Sequence, residues 1–169
     1  MCEKKHVFPI ENGVAFFAKK KKEDKYEDTV FSHYYLQTHY REWITDLLKG
    51  KGLLHEDLFT FFSKGTTSYY KEAAEMMKDQ LSGANVLDLG CSVGRLTFEC
   101  AKYAKQVFGM DPSQLHVQLA KQILDQQHIP VVFGQSRAAY KNQKTVTLDV
   151  PIDIVATNVE FFVGDDSTL

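Results

Sequence analysis

Val86-Leu87-Asp88-Leu89-Gly90-Cys91-Ser92-Val93-Gly94-Arg95 is the stretch on which the reading of this chain turns. Three apolar residues interrupted by Asp88 predict a short buried strand. A glycine-rich turn follows at once, and a helical pattern continues through Arg95, Leu96, Cys100 and Ala104. A glycine turn between strand and helix lets backbone come very close to a ligand, and the helix start offers N–H groups with no intrahelical partner.

Working outward, Val107-Phe108-Gly109-Met110-Asp111 predicts a second strand ending in a carboxylate. That acid falls about 20 residues after the turn, where dinucleotide-type sites place the group that accepts both ribose hydroxyls. The plainer alternative is that Asp111-Pro112-Ser113 starts a helix, with Asp111 near its positive end. The spacing of the turn separates two chemistries. Nicotinamide and flavin sites use Gly-x-Gly-x-x-Gly, whose third small residue would fall at Arg95, whereas here Gly94 stands one place earlier.

Asp88 with Gly90-x-Ser92-x-Gly94 resembles the first motif of the Rossmann-like, class I S-adenosylmethionine-dependent methyltransferases, acidic-x-Gly-x-Gly-x-Gly. The resemblance implies S-adenosylmethionine as cofactor. Asp88 would help hold the ammonium of its methionine half, Gly90, Cys91, Ser92 and Gly94 would pass beneath that half, and Asp111 would hold the ribose. It further implies that Pro112 packs on the adenine, that Gln135 or Ser136 contacts the adenine amino group after a third strand at 131–133, and that Asn158, Phe161 and Phe162 face the transferred methyl after a fourth strand at 152–157. Ser92 departs from the family motif, where a glycine is usual. Cys91 reads as a small buried filler.

The fold expected is α/β, a Rossmann-like three-layer sandwich with a mainly parallel sheet holding strands one to four of the methyltransferase fold, preceded by N-terminal helices. Residues 1–28 read as a polar, partly mobile arm whose Lys19-Lys20-Lys21-Lys22 run is offset by nearby acids. Residues 29–83 read as a helical cap. One helix is expected from Phe31 to Leu48, with Leu36, Tyr40, Trp43 and Leu47 on one face, and another from about Ser68 to Leu81. Residues 84–169 form the cofactor-binding domain, expected to be truncated after strand four, which would then be an open edge. Ser113 is placed to cap a helix striped by Leu115, Leu119 and Ile123.

A net charge of −2 gives no bulk electrostatic case for nucleic acid. Cys2, Cys91 and Cys100 form no CxxC pair, so no disulfide framework is expected and a reducing, cytoplasmic setting is the default. No apolar run reaches the roughly 20 residues a membrane span needs. The six histidines show no zinc spacing, and no metal site is expected. His39 and Tyr40, with Tyr34 and Tyr35, are within the cap and could reach a substrate. Tyr26-Glu27-Asp28, Tyr34-Tyr35-Leu36-Gln37-Thr38-His39-Tyr40 and the glycine turn together resemble the layout of the mercaptohistidine N-methyltransferases of ovothiol biosynthesis. That resemblance favours a small, imidazole-containing acceptor. Two other readings stay open: a non-catalytic methyltransferase-like module or fragment completed by a protein partner, and a nicotinamide-dependent oxidoreductase, which Arg95 disfavours.

Overall fold

The computed structural model describes residues 7–17, 29–52, 69–133, 146–154 and 157–164. Five strands form the main sheet in the order β1 (Ile10–Glu11), β2 (Val14–Phe16), β7 (Val159–Val163), β4 (Gln106–Asp111), β3 (Asn85–Leu89). β2, β7, β4 and β3 run parallel, and only the short β1 is antiparallel to its neighbour. The helices are α1 (Thr29–His39), α2 (Arg41–Gly50), α3 (Tyr69–Met76), α4 (Lys78–Leu81), α5 (Arg95–Ala101) and α6 (Gln114–Gln126). None of them is long and apolar enough to cross a membrane.

The strand order differs from expectation after α6. Residues 131–133 belong to β5 (His128–Phe133), which pairs antiparallel with β6 (Val146–Pro151) in a separate two-stranded sheet. Residues 152–154 form no strand, and 155–156 lie outside the described residues. The third strand of the parallel sheet is instead β7, seated beside β4 with Val107 opposite Val159 and Asp111 opposite Val163. Packing decides between these apolar runs. Val159, Phe161 and Val163 alternate onto the buried face, and the Phe161 ring fills the space left by two glycines, Gly94 and Gly109. No comparable partner is written into Ile152-Asp153-Ile154.

This arrangement also relocates the open edge. β3, not strand four, is the edge beside the glycine turn, the short β1 being the other edge among the described residues, and Leu87 and Leu89 of β3 are 46% and 52% exposed. α5 and α6 pack on the face carrying Val107, Phe161 and Val163. The opposite face presents Leu87, Leu89 and the Phe108–Phe162 ring pair, only partly covered. The other side of the sheet is closed by the chain's beginning. Residues 10–16, within the stretch expected to be a mobile arm, turn at Asn12 and Gly13, both at positive φ as a tight hairpin demands. Val14 and Phe16 then enter the core, and β2 pairs with β7.

In the cap, the helix expected over 31–48 breaks at Tyr40, which leaves helical geometry (φ −114°, ψ 23°) while its side chain runs into the core. The expected helix ending at Leu81 breaks likewise at Met77. Ser113 does cap α6, its hydroxyl accepting the His116 N–H at 3.2 Å. The buried stripe of α6 is His116, Val117, Ala120 and Ile123, one step around from the expected leucines, because small Ala120 lies against Gly94.

Candidate functional site

The turn from Gly90 to Gly94 is wound through three left-handed residues: Gly90 at φ 77°, Ser92 at 50° and Gly94 at 80°. Glycine takes this region freely, whereas serine is strained there by of order 1–2 kcal/mol. Ser92 has compensating bonds on both sides. Its N–H donates to Asp111 Oδ2 at 2.8 Å, and its hydroxyl lies 3.3 Å from His116 Nδ1. The other amides of the turn also point inward. Gly90 and Cys91 N–H both donate to the Met110 carbonyl, at 2.8 and 3.1 Å, and Gly94 N–H donates to the Cys91 carbonyl at 2.9 Å. The two flanking glycines do different jobs. A Cβ on Gly94 would stand 2.7 Å from Phe161 Cζ, so this glycine allows helix and sheet to meet. Gly90 is exposed and a Cβ there would meet nothing within 4 Å, so its bare surface faces open space.

The two carboxylates stand toward the carboxyl ends of the neighbouring strands β3 and β4, close enough for Asp111 to act electrostatically on Asp88. Asp111 is buried and grips two turns at once, its Oδ2 accepting from Ser92 and its Oδ1 accepting the Ser113 N–H at 2.8 Å. Each oxygen keeps a second lone pair for a further donor. Asp88 accepts the Thr97 hydroxyl at 2.6 Å. Burial raises its pKa, opposed by the Thr97 hydrogen bond and reinforced by the negative Asp111. Cys91 is buried, and burial with the two acids pushes its thiol well up, which suits a filler rather than a nucleophile.

The cap docks directly on this turn. The fully buried Tyr40 donates its hydroxyl to the Val93 carbonyl at 2.7 Å. Arg95, 2% exposed, pairs with Glu42 of α2 at 2.5 Å and with Glu99 at 2.7 Å, and its guanidinium lies 3.9 Å from the Trp43 ring centre. A row of rings runs from Tyr70 through His39 and Tyr35 to His116, with neighbouring centroids 4.8–5.4 Å apart. Burial, then His116 and Arg95, lower the His39 pKa to about 4, so that imidazole is neutral near pH 7.

Asp88, Gly90, Cys91, Ser92, Gly94 and Asp111 thus come together, with exposed Pro112 beside them and His39 and Tyr40 on the cap side. Asn158 does not join them. It precedes β7, at the amino end of the sheet, where its amide nitrogen donates to the Ala101 and Ala104 carbonyls at 2.9 Å each. Phe161 is 4% exposed beneath the turn, edge-on to Phe98, and Phe162 lies on the opposite face against Phe17. Gln135 and Ser136 lie outside the described residues. A cavity of about 280 Å³ lies away from the turn, between Asn12 and the Gln118, Lys121 and Gln122 side of α6. The grip of Arg95 on the cap was not foreseen. Its only sequence signal was a charged residue where a nucleotide turn would want a small one.

The model of the family described as "Methyltransferase domain" matches residues 86–167. The ubiquinone biosynthesis O-methyltransferases of Rhodopseudomonas palustris and Bradyrhizobium diazoefficiens are each 39% identical to this chain over 51 residues, 30% of this chain and 20% of theirs. The chain therefore spans about a fifth of the length of these curated relatives. Among solved structures, the YcgJ protein of Bacillus subtilis aligns over 58% of this chain and 32% of its own, at 16% identity and a TM-score of 0.37. A magnesium protoporphyrin IX methyltransferase from Synechocystis with bound S-adenosylmethionine aligns over 63% and 50%, at 18% identity and a TM-score of 0.30. Acid, glycine turn and second acid stand at adjoining strand ends, within the matched region. Residues 86–167 are thus similar to the methyltransferase domain, and the 51-residue match to the two O-methyltransferases points the same way.

Proposed function

We propose that the protein transfers a methyl group from S-adenosylmethionine to a small molecule held between the glycine turn and the helical cap. One observation carries the cofactor choice. The amides of Gly90, Cys91, Ser92 and Gly94 are spent on Met110, Asp111 and Cys91, so these four are not turned toward a pyrophosphate. A cofactor without phosphates needs none of them. The residues fit it otherwise: Gly90 leaves bare backbone for close approach, Asp88 adds negative charge for an ammonium, and Asp111 has lone pairs left for hydroxyls.

When bound, S-adenosylmethionine supplies an activated methyl on sulfur with its own leaving group, so the protein's task is positioning. Asp111 fixes the spacing between the glycine turn and the start of α6. The ring row of Tyr35, His39 and Tyr70 walls the cap side, and neutral His39 can exchange hydrogen bonds with an acceptor without placing a second cation beside the sulfonium. That wall suits a small planar acceptor such as an imidazole.

The strand order also moves the adenine side. The strand beside β4 is β7, and the residue after it, Gly164, donates its N–H to the Asp111 carbonyl at 3.0 Å. Asp165 and Asp166, next in sequence, join Gln135 and Ser136 as candidates for the adenine amino group. Calorimetric titration with S-adenosylhomocysteine and with NAD tests the reading. Saturable binding of the first and none of the second is expected; the reverse would sink it. Methyl transfer from labelled S-adenosylmethionine to a mercaptoimidazole, with none to a catechol, is the expected acceptor preference.

A further inference from the structure

The cap does more than cover the site. It holds the chain on both sides of Gly94: through the Tyr40 hydroxyl on the Val93 carbonyl, and through Glu42 and Trp43 on the Arg95 guanidinium. Val93 is wholly buried, Gly94 carries a left-handed φ, and Arg95 opens α5, so these contacts grip the segment whose winding shapes the cofactor turn. The ionic group is balanced, with Arg95 and Lys102 against Glu42 and Glu99. Glu42 is the member supplied by α2, so it ties two elements rather than stiffening one.

We propose that Tyr40 and Arg95 are positioning residues that couple docking of α1 and α2 to cofactor binding at the glycine turn, so that each event strengthens the other. This rests on the cofactor reading above. Coupling of this kind is reciprocal: if a docked cap tightens cofactor binding, bound cofactor must steady the cap by the same factor. A rigid, already fixed turn would show neither effect.

The test uses the full chain, S-adenosylhomocysteine as probe, calorimetry for affinity and amide hydrogen exchange over residues 41–50. In the natural protein the probe should slow exchange in that helix. Tyr40→Phe keeps the ring and removes only the hydroxyl, and should weaken binding about five- to tenfold, the size of one hydrogen bond, while abolishing most of the exchange protection. Glu42→Gln, at a part-exposed position, should act in the same direction and serves if Tyr40→Phe fails to fold. Arg95→Lys keeps the charge but loses the flat stack on Trp43, and should not restore coupling. Asn158→Ala, which loosens the sheet at its far end, should leave both readouts unchanged. Wild-type affinity and protection in Tyr40→Phe and Glu42→Gln would overturn the coupling alone. Absence of probe binding to the natural chain would overturn the cofactor reading and the coupling with it.

Discussion

The stretch from β3 to β4 and the stretch from β5 to β7 are both alternations of short apolar runs with polar breaks, yet they fold by different rules. In the first, the turn chemistry is local: glycines at positive φ, an acid at a strand end and a serine cap each state their own geometry. In the second, three apolar runs compete for one place beside β4. The winner is the one whose phenylalanine fits under Gly94 and Gly109, a partnership more than 50 residues long for both glycines. Local chemistry writes turns, but long-range packing chooses strands.

The largest expected effects test that difference at the glycines. Gly94→Ala adds a Cβ at φ 80° that meets Phe161 Cζ at 2.7 Å and Ala120 Cβ at 3.1 Å. Left-handed strain and overpacking together should cost about 2–5 kcal/mol in a urea unfolding series. Gly90→Ala carries the same strain with no neighbour to strike, so it should cost only about 1–2 kcal/mol. Its effect should appear instead as weakened S-adenosylhomocysteine binding. If Gly90→Ala binds normally, the bare surface at that position has no cofactor role.

Next come the paired residues at opposite ends of the sheet. Asp111→Ala removes the acceptor of both the Ser92 and Ser113 amides and should weaken cofactor binding about tenfold or more. Asn158→Ala removes two donations to carbonyls and should cost about 1–3 kcal/mol of stability while leaving the dissociation constant unchanged. An unchanged affinity in Asp111→Ala, measured by calorimetry, would leave that acid a purely structural clamp.

These contrasts show what could be read beforehand. Val86 to Asp111 was legible as strand, turn, helix, strand and acid because each feature is specified within a few residues. The place of β2 was not legible. Residues 10–16 lie inside a longer stretch, 1–28, that reads as polar and uneven, and only the space beside β7 draws Val14 and Phe16 into the core. The break at Tyr40 was hidden for a similar reason: its helical spacing is sound, and only a carbonyl 53 residues away gives its hydroxyl a reason to leave the stripe. The same shift in strand order separates two versions of the adenine side. Asp165→Ala should weaken S-adenosylhomocysteine binding several-fold and Gln135→Ala should not; the opposite ranking would restore the earlier assignment.

The smallest effect expected concerns acid, and it again sets cap against turn. His39 has its pKa lowered to about 4, chiefly by burial, against an ordinary value of 6.5. The unfolded chain therefore binds more protons than the folded one between those values. The stability His39 contributes is present above pH 6.5 and is lost as pH falls toward 4. Asp88 works in the other direction. Its pKa is raised, so the folded form holds its proton more tightly, and the stability linked to it is present at low pH and lost as pH rises through the folded value. As the pH falls from 6.5 the contributions of His39 and Asp88 run in opposite directions, and substitution separates them. His39→Gln should flatten the fall in urea midpoint between pH 6.5 and 4, and Asp88→Asn should steepen it. A midpoint series in which His39→Gln keeps the natural slope would show that the imidazole is solvated, and that the ring row is not the dry wall an acceptor would meet.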